Sequence, residues 1–442
     1  MKAGSFFPGT HYSSLYAMAG DDCSLFFDLG ELTPKQQQDH RDNIELTAML
    51  QVALACIGHD RDHLALYENY QDPELQKVLN RYHNFFTRMV DDVVPIEHFS
   101  YHPALSYYDS VAKLISDNPN LTEVANLYMS SGSNSVIHRN EALLEMNRNV
   151  NSKKHFAENA PEFGIPVPDT LITTKAELTG ETVSSFFNKH RNNIVAKLLG
   201  LAGARNVTMV DSIIECQEFV AEYEDDFVIL LQQRLDLDFY SEMTVDLVVS
   251  NNDIKLSNVR KILFADGLWV GNLIGEGVAL TDEQWSVLRN VGEYARQQGY
   301  VTEEGSNLGI DYFVGQDGSV IVTEINARWT GGLFPAEILR QSGTGGRDAV
   351  PFFDLVLIEK REAYVDFLDR YLLGEYEGDF AMAPFGFGCF PINMDGQKYF
   401  YTWQAVVGDL EAFKSVKKKE LGEGVMPTSE IIRTEDLIDQ KY

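Results

Sequence analysis

The chain has 442 residues, too many for one simple core and enough for two or three domains. Its composition is ordinary for a globular protein, 44% hydrophobic and 23% charged, but 36 Lys and Arg against 66 Asp and Glu leave a net charge of −30. Such a surface repels phosphate backbones and anionic lipid, which argues against nucleic-acid and membrane partners; solubility or a saline habitat accounts for the charge by itself.

Four cysteines, Cys23, Cys56, Cys216 and Cys389, lie far apart and form no CxxC. Neither a disulfide framework nor a structural zinc site is expected, and reduced thiols fit a cytoplasmic protein. The opening MKAGSFFPGTHYSS lacks the apolar run of a secretory signal. No run of about 18 apolar residues marks a membrane helix. A homodimer is the ordinary prior for the assembly.

Residues 1–150 read as an N-terminal α/β unit. Short apolar runs, SLFFDLG and TAMLQVALACIG, alternate with helical patterns such as DPELQKVLNRYHNFFTRMVDDV. His59 and His63, four apart in GHDRDHL, would share a helix face, more simply an exposed face than a metal site, since no third ligand is apparent. MSSGSNSVIHRN is a turn-rich break, and EALLEMNR after it is a short helix. A second unit, 151–232, opens with a helix from Ser152 to Gly164, after which Pro166 and Pro168 force an extended course. A capped helix, the strand NIVAKLLG, a glycine loop, another helix and the strand FVILLQQ follow. The third unit, 233–442, holds two antiparallel strands, MTVDLVVS and VRKILFADGLWVG, turning at Asn251-Asn252-Asp253. Then come the amphipathic helix TDEQWSVLRNVGEYARQQGY and a hairpin turning at Gln316-Asp317-Gly318. Beyond residue 345, the lysine run 417–419 reads as a solvated patch, and Gly386 with Gly388 as a tight bend.

The hairpin carries the most chemistry. Asp311 lies on its first strand; Glu324, Asn326 and Arg328 occupy alternate positions on and after its second, ahead of Gly331-Gly332. Alternate residues share one face of a strand. Two carboxylates and an amide oxygen suit Mg²⁺ better than Zn²⁺, and the guanidinium would face an anion held there. A solvated sheet face shows the same alternation. In AKLLGLAGARNV, Lys197 ends an apolar strand before a loop with Gly200 and Gly203, whose N–H groups are suited to cradling phosphate; the loop matches neither GxxxxGK[ST] nor GxGxxG. In ILLQQRLDLDFYSEMTV, Gln232, Gln233 and Leu235 precede Glu242, as a linker offering backbone groups to a base and an acid to ribose would. Arg260 is a further candidate contact for substrate or phosphate; Arg340 and Arg347 at GTGGRD would anchor a substrate carboxylate by bidentate pairing, or the stretch is a plain surface loop.

The order Lys153, GIPVP, Lys197 with its glycine loop, LLQQRL…EMTV, then GIDYF…TEINAR resembles the ATP-grasp superfamily over roughly residues 150–335. The most specific element is E-x-N-x-R preceded thirteen residues earlier by an Asp. KLLGLAGARN and EINARWTGG are most similar to the branch of amino-acid and peptide ligases that carries a pre-ATP-grasp N-terminal domain. The resemblance implies an α/β (α+β) ATP-grasp fold: a pre-ATP-grasp domain, a small lid subdomain and a C-terminal antiparallel-sheet domain. It implies ATP as cosubstrate with two Mg²⁺ ions, or Mn²⁺ in their place. Lys153 and Lys197 would bind phosphates under a lid loop from Gly200 through Gly203 to Arg205. Gln232, Gln233 and Leu235 would line the adenine hinge, and Glu242 would hold the ribose. Asp311, Glu324 and Asn326 would be the metal ligands, and Arg328 would face the transferred phosphoryl group. Two positions depart from the common pattern: Leu198 stands where proline is frequent, and Gln232 where an acid is.

The implied reaction is ATP-dependent joining of an amino-acid or peptide carboxylate to an amine through an acyl phosphate, with release of ADP and phosphate. No Ser-His-Asp or Cys-His nucleophile set competes with it. A kinase using the same nucleotide residues, or a nucleotide-binding sensor without chemistry, are the alternative expectations.

Overall fold

Eighteen strands build four sheets in the computed structural model, which describes residues 13–19, 34–126, 130–199, 207–265, 268–275, 278–303, 305–344, 347–394, 396–422 and 425–426. The first sheet is parallel, in the order β3 (Phe99–His102), β2 (His63–Tyr67), β1 (Ser13–Ala17), β4 (Leu121–Asn126). Its helix Pro73–Met89 starts where the Asp72 carboxylate accepts from the N–H groups of Glu74 and Leu75, with proline at the first helical position. The helix buries Val78, Leu79, Tyr82, Phe85, Phe86 and Met89, three or four residues apart.

Two readings of this region change. TAMLQVALACI is the C-terminal half of a 24-residue helix, Pro34–Ile57, and not a strand run. It is buried on all sides from Val52 to Ile57, so no helical period marks it. SLFFDLG lies outside the described residues. His59 and His63 share no helix face, because the helix ends before them: the His59 ring meets Asp92 at 2.6 Å, while His63 opens β2 and stacks on His98 at 4.5 Å.

The second sheet, antiparallel, runs β5 (Thr170–Thr174), β8 (Val228–Gln233), β6 (Ile194–Leu198), β7 (Val207–Val210). It has its own small core, with Ile194, Ala196, Leu198, Ile229 and Leu231 facing the helices Glu181–Lys189 and Ile213–Phe219. The third runs β11 (Leu268–Leu273), β10 (Ile254–Ala265), β9 (Tyr240–Val249), β12 (Ser306–Gly315), β13 (Val320–Asn326). The helix Asp282–Gln297, capped by Thr281, covers one face of it. The turns at 251–253 and 316–318 fall where the sequence puts them, with Gly318 at φ +80°.

The fourth sheet joins β14 (Ala349–Leu357), β15 (Phe380–Phe387), β16 (Ile392–Met394), β17 (Gln397–Gly408) and β18 (Val425–Met426), all antiparallel. Its apolar residues are continuous with those of the N-terminal layer in one core. Lys417 belongs to no solvated patch: it is 2% exposed and meets Asp354 Oδ2 at 2.8 Å. Gly386 makes no tight bend either. It lies within β15 beside a shift of register, where a Cβ would collide with the Met49 carbonyl of the long helix.

Candidate active site

The third sheet separates apolar and polar residues by face. On β9, Met243, Val245, Leu247 and Val249 enter the core; on β12, Leu308, Ile310, Tyr312 and Val314 do so. The opposite face therefore carries Glu242, Thr244 and Asp246 on β9, and Asn307 and Asp311 on β12. Cross-strand pairing sets Thr244 opposite both Asp311 and Arg260, and Asp246 opposite Gly309.

Strand β13 obeys this rule only because it is irregular. Val320 and Val322 point into the core, and strict alternation would send Glu324 and Asn326 after them. Register shifts between the Asp311 and Tyr312 pairings, which skip Thr323: Asp311 faces Glu324, while Tyr312 faces Val322. This bulge reverses the phase, so Ile325 and Ala327 take the core side and Glu324 and Asn326 turn to the polar face. The Thr323 hydroxyl donates to the Asp311 carbonyl at 3.1 Å and pins the irregularity.

Two lysines from other elements reach this face. Lys153 begins the helix Lys153–Asn159, capped by the Ser152 hydroxyl, and its Nζ lies 2.9 Å from Glu324 Oε1. Lys197 sits on the β6 face opposite the small core, 8% exposed. Burial pulls its ammonium below the usual lysine range; Glu324 opposes that, Lys153 adds to it, and Glu242 and Asp311 oppose it. Electrostatics thus couple five of the sequence-predicted residues. Asp311 is pushed up to about 6 by burial and by Glu324, against a hydrogen bond from Thr244 and the charges of Arg260 and Arg328. Glu242 is pushed up to about 7 by burial and by Asp311, against the pull of Lys197. Glu324 ends below the usual glutamate range, the lysines outweighing its burial. Asn326 donates to Asp311 Oδ2 at 2.9 Å.

Gln232 and Gln233 end β8. Gln232 is 4% exposed and donates from Nε2 to Thr170 Oγ1 at 3.0 Å; Gln233 is exposed, and its N–H donates to the Asp169 carbonyl. Leu235 follows them, half-buried. Gly200, Gly203 and Arg205 lie outside the described residues. Arg260 is placed deeper than the sequence suggests: it is 1% exposed, and its guanidinium is paired with Asp246 at 2.5 Å inside the sheet. Arg340 pairs with Glu337 on its own helix, and the Arg347 Nε donates to the Thr344 carbonyl. Among the described residues no group of three or more His, Cys, Asp and Glu side chains is gathered as a metal cluster; the set here is two carboxylates and an amide.

Sequence reading missed Thr244, Asp246, Asn307 and Thr330. For the first three the only signal was polar residues at alternate places within apolar strands, EMTVDLVV and SNLGIDYF, whose partners a single chain does not name; Thr330, in the turn after β13, carried none.

No known family model matches the chain, and no curated protein sequence matches it. Solved structures do match it. The ADP complex of PurK, N5-carboxyaminoimidazole ribonucleotide synthetase, is 10% identical, with a TM-score of 0.53 over 92% of this chain and 96% of that one. Carboxyaminoimidazole ribonucleotide synthase from Aspergillus clavatus, complexed with ATP, is 10% identical at a TM-score of 0.53, over 95% and 99%. Phosphoribosylamine–glycine ligase from Thermotoga maritima is 12% identical at 0.53, over 94% and 98%. At such identities the likeness is one of fold. It is the ATP-grasp fold, running through both the N-terminal layer and the C-terminal sheets.

Proposed function

We propose that the protein is an ATP-dependent carboxylate–amine ligase that joins an amino-acid or peptide carboxylate to an amine. The observation that carries this reading is the meeting of Lys153 and Lys197, from separate elements, over Glu324, Asp311 and Asn326. Two cations facing a crowded pair of carboxylates fit a site that grips a polyphosphate and its counter-ion together. A solvated sheet face would not bury Lys197 or push Asp311 and Glu242 upward.

The donors are all hard oxygens, and the raised carboxyls mark negative charge that the protein leaves partly uncompensated. That chemistry fits Mg²⁺ or Mn²⁺, held by Asp311, Glu324 and the amide oxygen of Asn326. Bound there, the metal would neutralise charge on the phosphate oxygens. Lys197 and Lys153 stabilise the charge of the polyphosphate, and Arg328, whose charge is felt at both Asp311 and Glu324, stabilises the transferred group. A carboxylate oxygen is a poor leaving group; phosphorylation makes it a good one, and the amine then displaces phosphate. Gln232, Gln233 and Leu235, at the end of β8 on the way to Glu242, are read as the adenine and ribose contacts. The peptide-ligase resemblance of EINARWTGG favours an amino-acid or peptide acid, and the name of one structural neighbour, phosphoribosylamine–glycine ligase, puts an amino acid and an amine on the same fold.

The test is incubation with ATP, Mg²⁺, hydroxylamine and a panel of amino acids and dipeptides. Hydroxamate formed with stoichiometric ADP is the expected result, since hydroxylamine traps acyl phosphates. A stable phosphorylated product without hydroxamate would make the protein a kinase; nucleotide binding without any turnover would make it a sensor.

A further inference from the structure

Beneath the carboxylates lies a charged network built from residues other than the proposed metal ligands. Asp246 and Arg260 are 0% and 1% exposed and 2.5 Å apart. Arg260 also donates to Asn258, and more weakly to Thr244 at 3.5 Å and Thr330 at 3.4 Å. Asn307, wholly buried, spends both Nδ2 hydrogens at 2.9 Å, one on Asp246 Oδ1 and one on the Arg328 carbonyl. The Thr330 hydroxyl donates to Asp246 at 3.0 Å and accepts the N–H of Leu333, which opens the helix Leu333–Gln341. A Cβ on Gly332 would lie 2.5 Å from Arg260 Nε, so the Gly-Gly turn is packed onto the guanidinium. From the other side, Asn151 accepts the Ala327 N–H at 2.8 Å.

The Ala327 N–H is thereby tied to Asn151, the Arg328 carbonyl to the buried Asn307 and the Thr330 hydroxyl to the buried Asp246, with Arg328 in the middle. Buried ion pairs add little to stability, and apolar residues of similar volume often do as well or better. What this pair supplies is fixed geometry. We propose that Asp246, Arg260, Asn307 and Thr330 are positioning residues that hold Arg328 over Asp311 and Glu324. The proposal rests on the ligase reading, which gives Arg328 its task.

Thr330→Val preserves shape and removes the hydroxyl; Thr330→Ser preserves the hydroxyl. In the hydroxamate assay, Thr330→Val is expected to lower kcat about tenfold or more, with the KM for ATP within about twofold of wild type, and Thr330→Ser to restore most of the rate. The double variant Asp246→Leu/Arg260→Met, which leaves no unpaired charge, is expected to keep or raise Tm while kcat falls. Wild-type kcat in Thr330→Val, or equal impairment of the valine and serine variants, would overturn the positioning role and leave the ligase reading standing. A wild-type protein that activates no acid would sink both.

Discussion

Glu324 is where three demands meet: it faces Asp311 across the hairpin, binds Lys153, and lowers the cost of burying Lys197. Replacing it by glutamine keeps the shape and removes the charge. Turnover in Glu324→Gln is expected to fall below about a thousandth of wild type, with an unchanged circular dichroism spectrum; activity near wild type would remove Glu324 from the metal set. Lys197 supplies charge from the second sheet, so Lys197→Ala is expected to weaken ATP binding about tenfold or more by calorimetry, with unchanged affinity counting against its role. At this scale the sequence was informative, since residue types and spacings are what a strand preserves. Lys417 was misread because three consecutive lysines look alike in a sequence, although only the first finds Asp354 in the interior. Arg260 was misread for the reverse reason: its partner Asp246 lies on the neighbouring strand.

Among the elements, β13 shows how far periodicity reaches. Its two-residue pattern correctly put Glu324 and Asn326 on one face, but the same pattern puts Val320 and Val322 there too. Only the bulge at Thr323 lets an apolar half-strand and a polar half-strand coexist. Deleting Thr323 would take out the extra residue and set Val322 beside Glu324, so plain alternation would keep Val320, Val322 and Ile325 on the core side and Glu324 and Asn326 on the polar face. The deletion variant is therefore expected to fold with a Tm near that of wild type, and a variant that no longer folds would show that Thr323 does more than correct the phase of the strand. Helices obey the same limit. Asp282–Gln297 was legible because one side is wet, whereas Pro34–Ile57 hid its character by being buried all round in its second half.

Across the whole molecule, the net charge of −30 presses outward on a fold whose internal charges are mostly paired. Screening should relieve it: the Debye length falls from about 30 Å at 0.01 M salt to about 3 Å at 1 M. Tm is expected to rise by a few degrees, roughly 3 °C or more, between those salt concentrations, and a flat or falling curve would show that self-repulsion is not what limits stability. The fourth sheet was the least legible part of the chain. Its strands carry no motif, and its packing on the N-terminal layer joins residues hundreds of positions apart, as when the Tyr70 hydroxyl donates to the Phe387 carbonyl at 2.5 Å.

That shared core sets an order on synthesis. As the chain leaves the ribosome, the long helix and its parallel sheet precede most of the apolar surface that covers them, which is encoded from Trp329 onward in the helix Leu333–Gln341 and the fourth sheet. The two middle sheets own their cores and are free to form in between. The nascent N-terminal layer therefore waits, oily and uncovered, until those later segments are made.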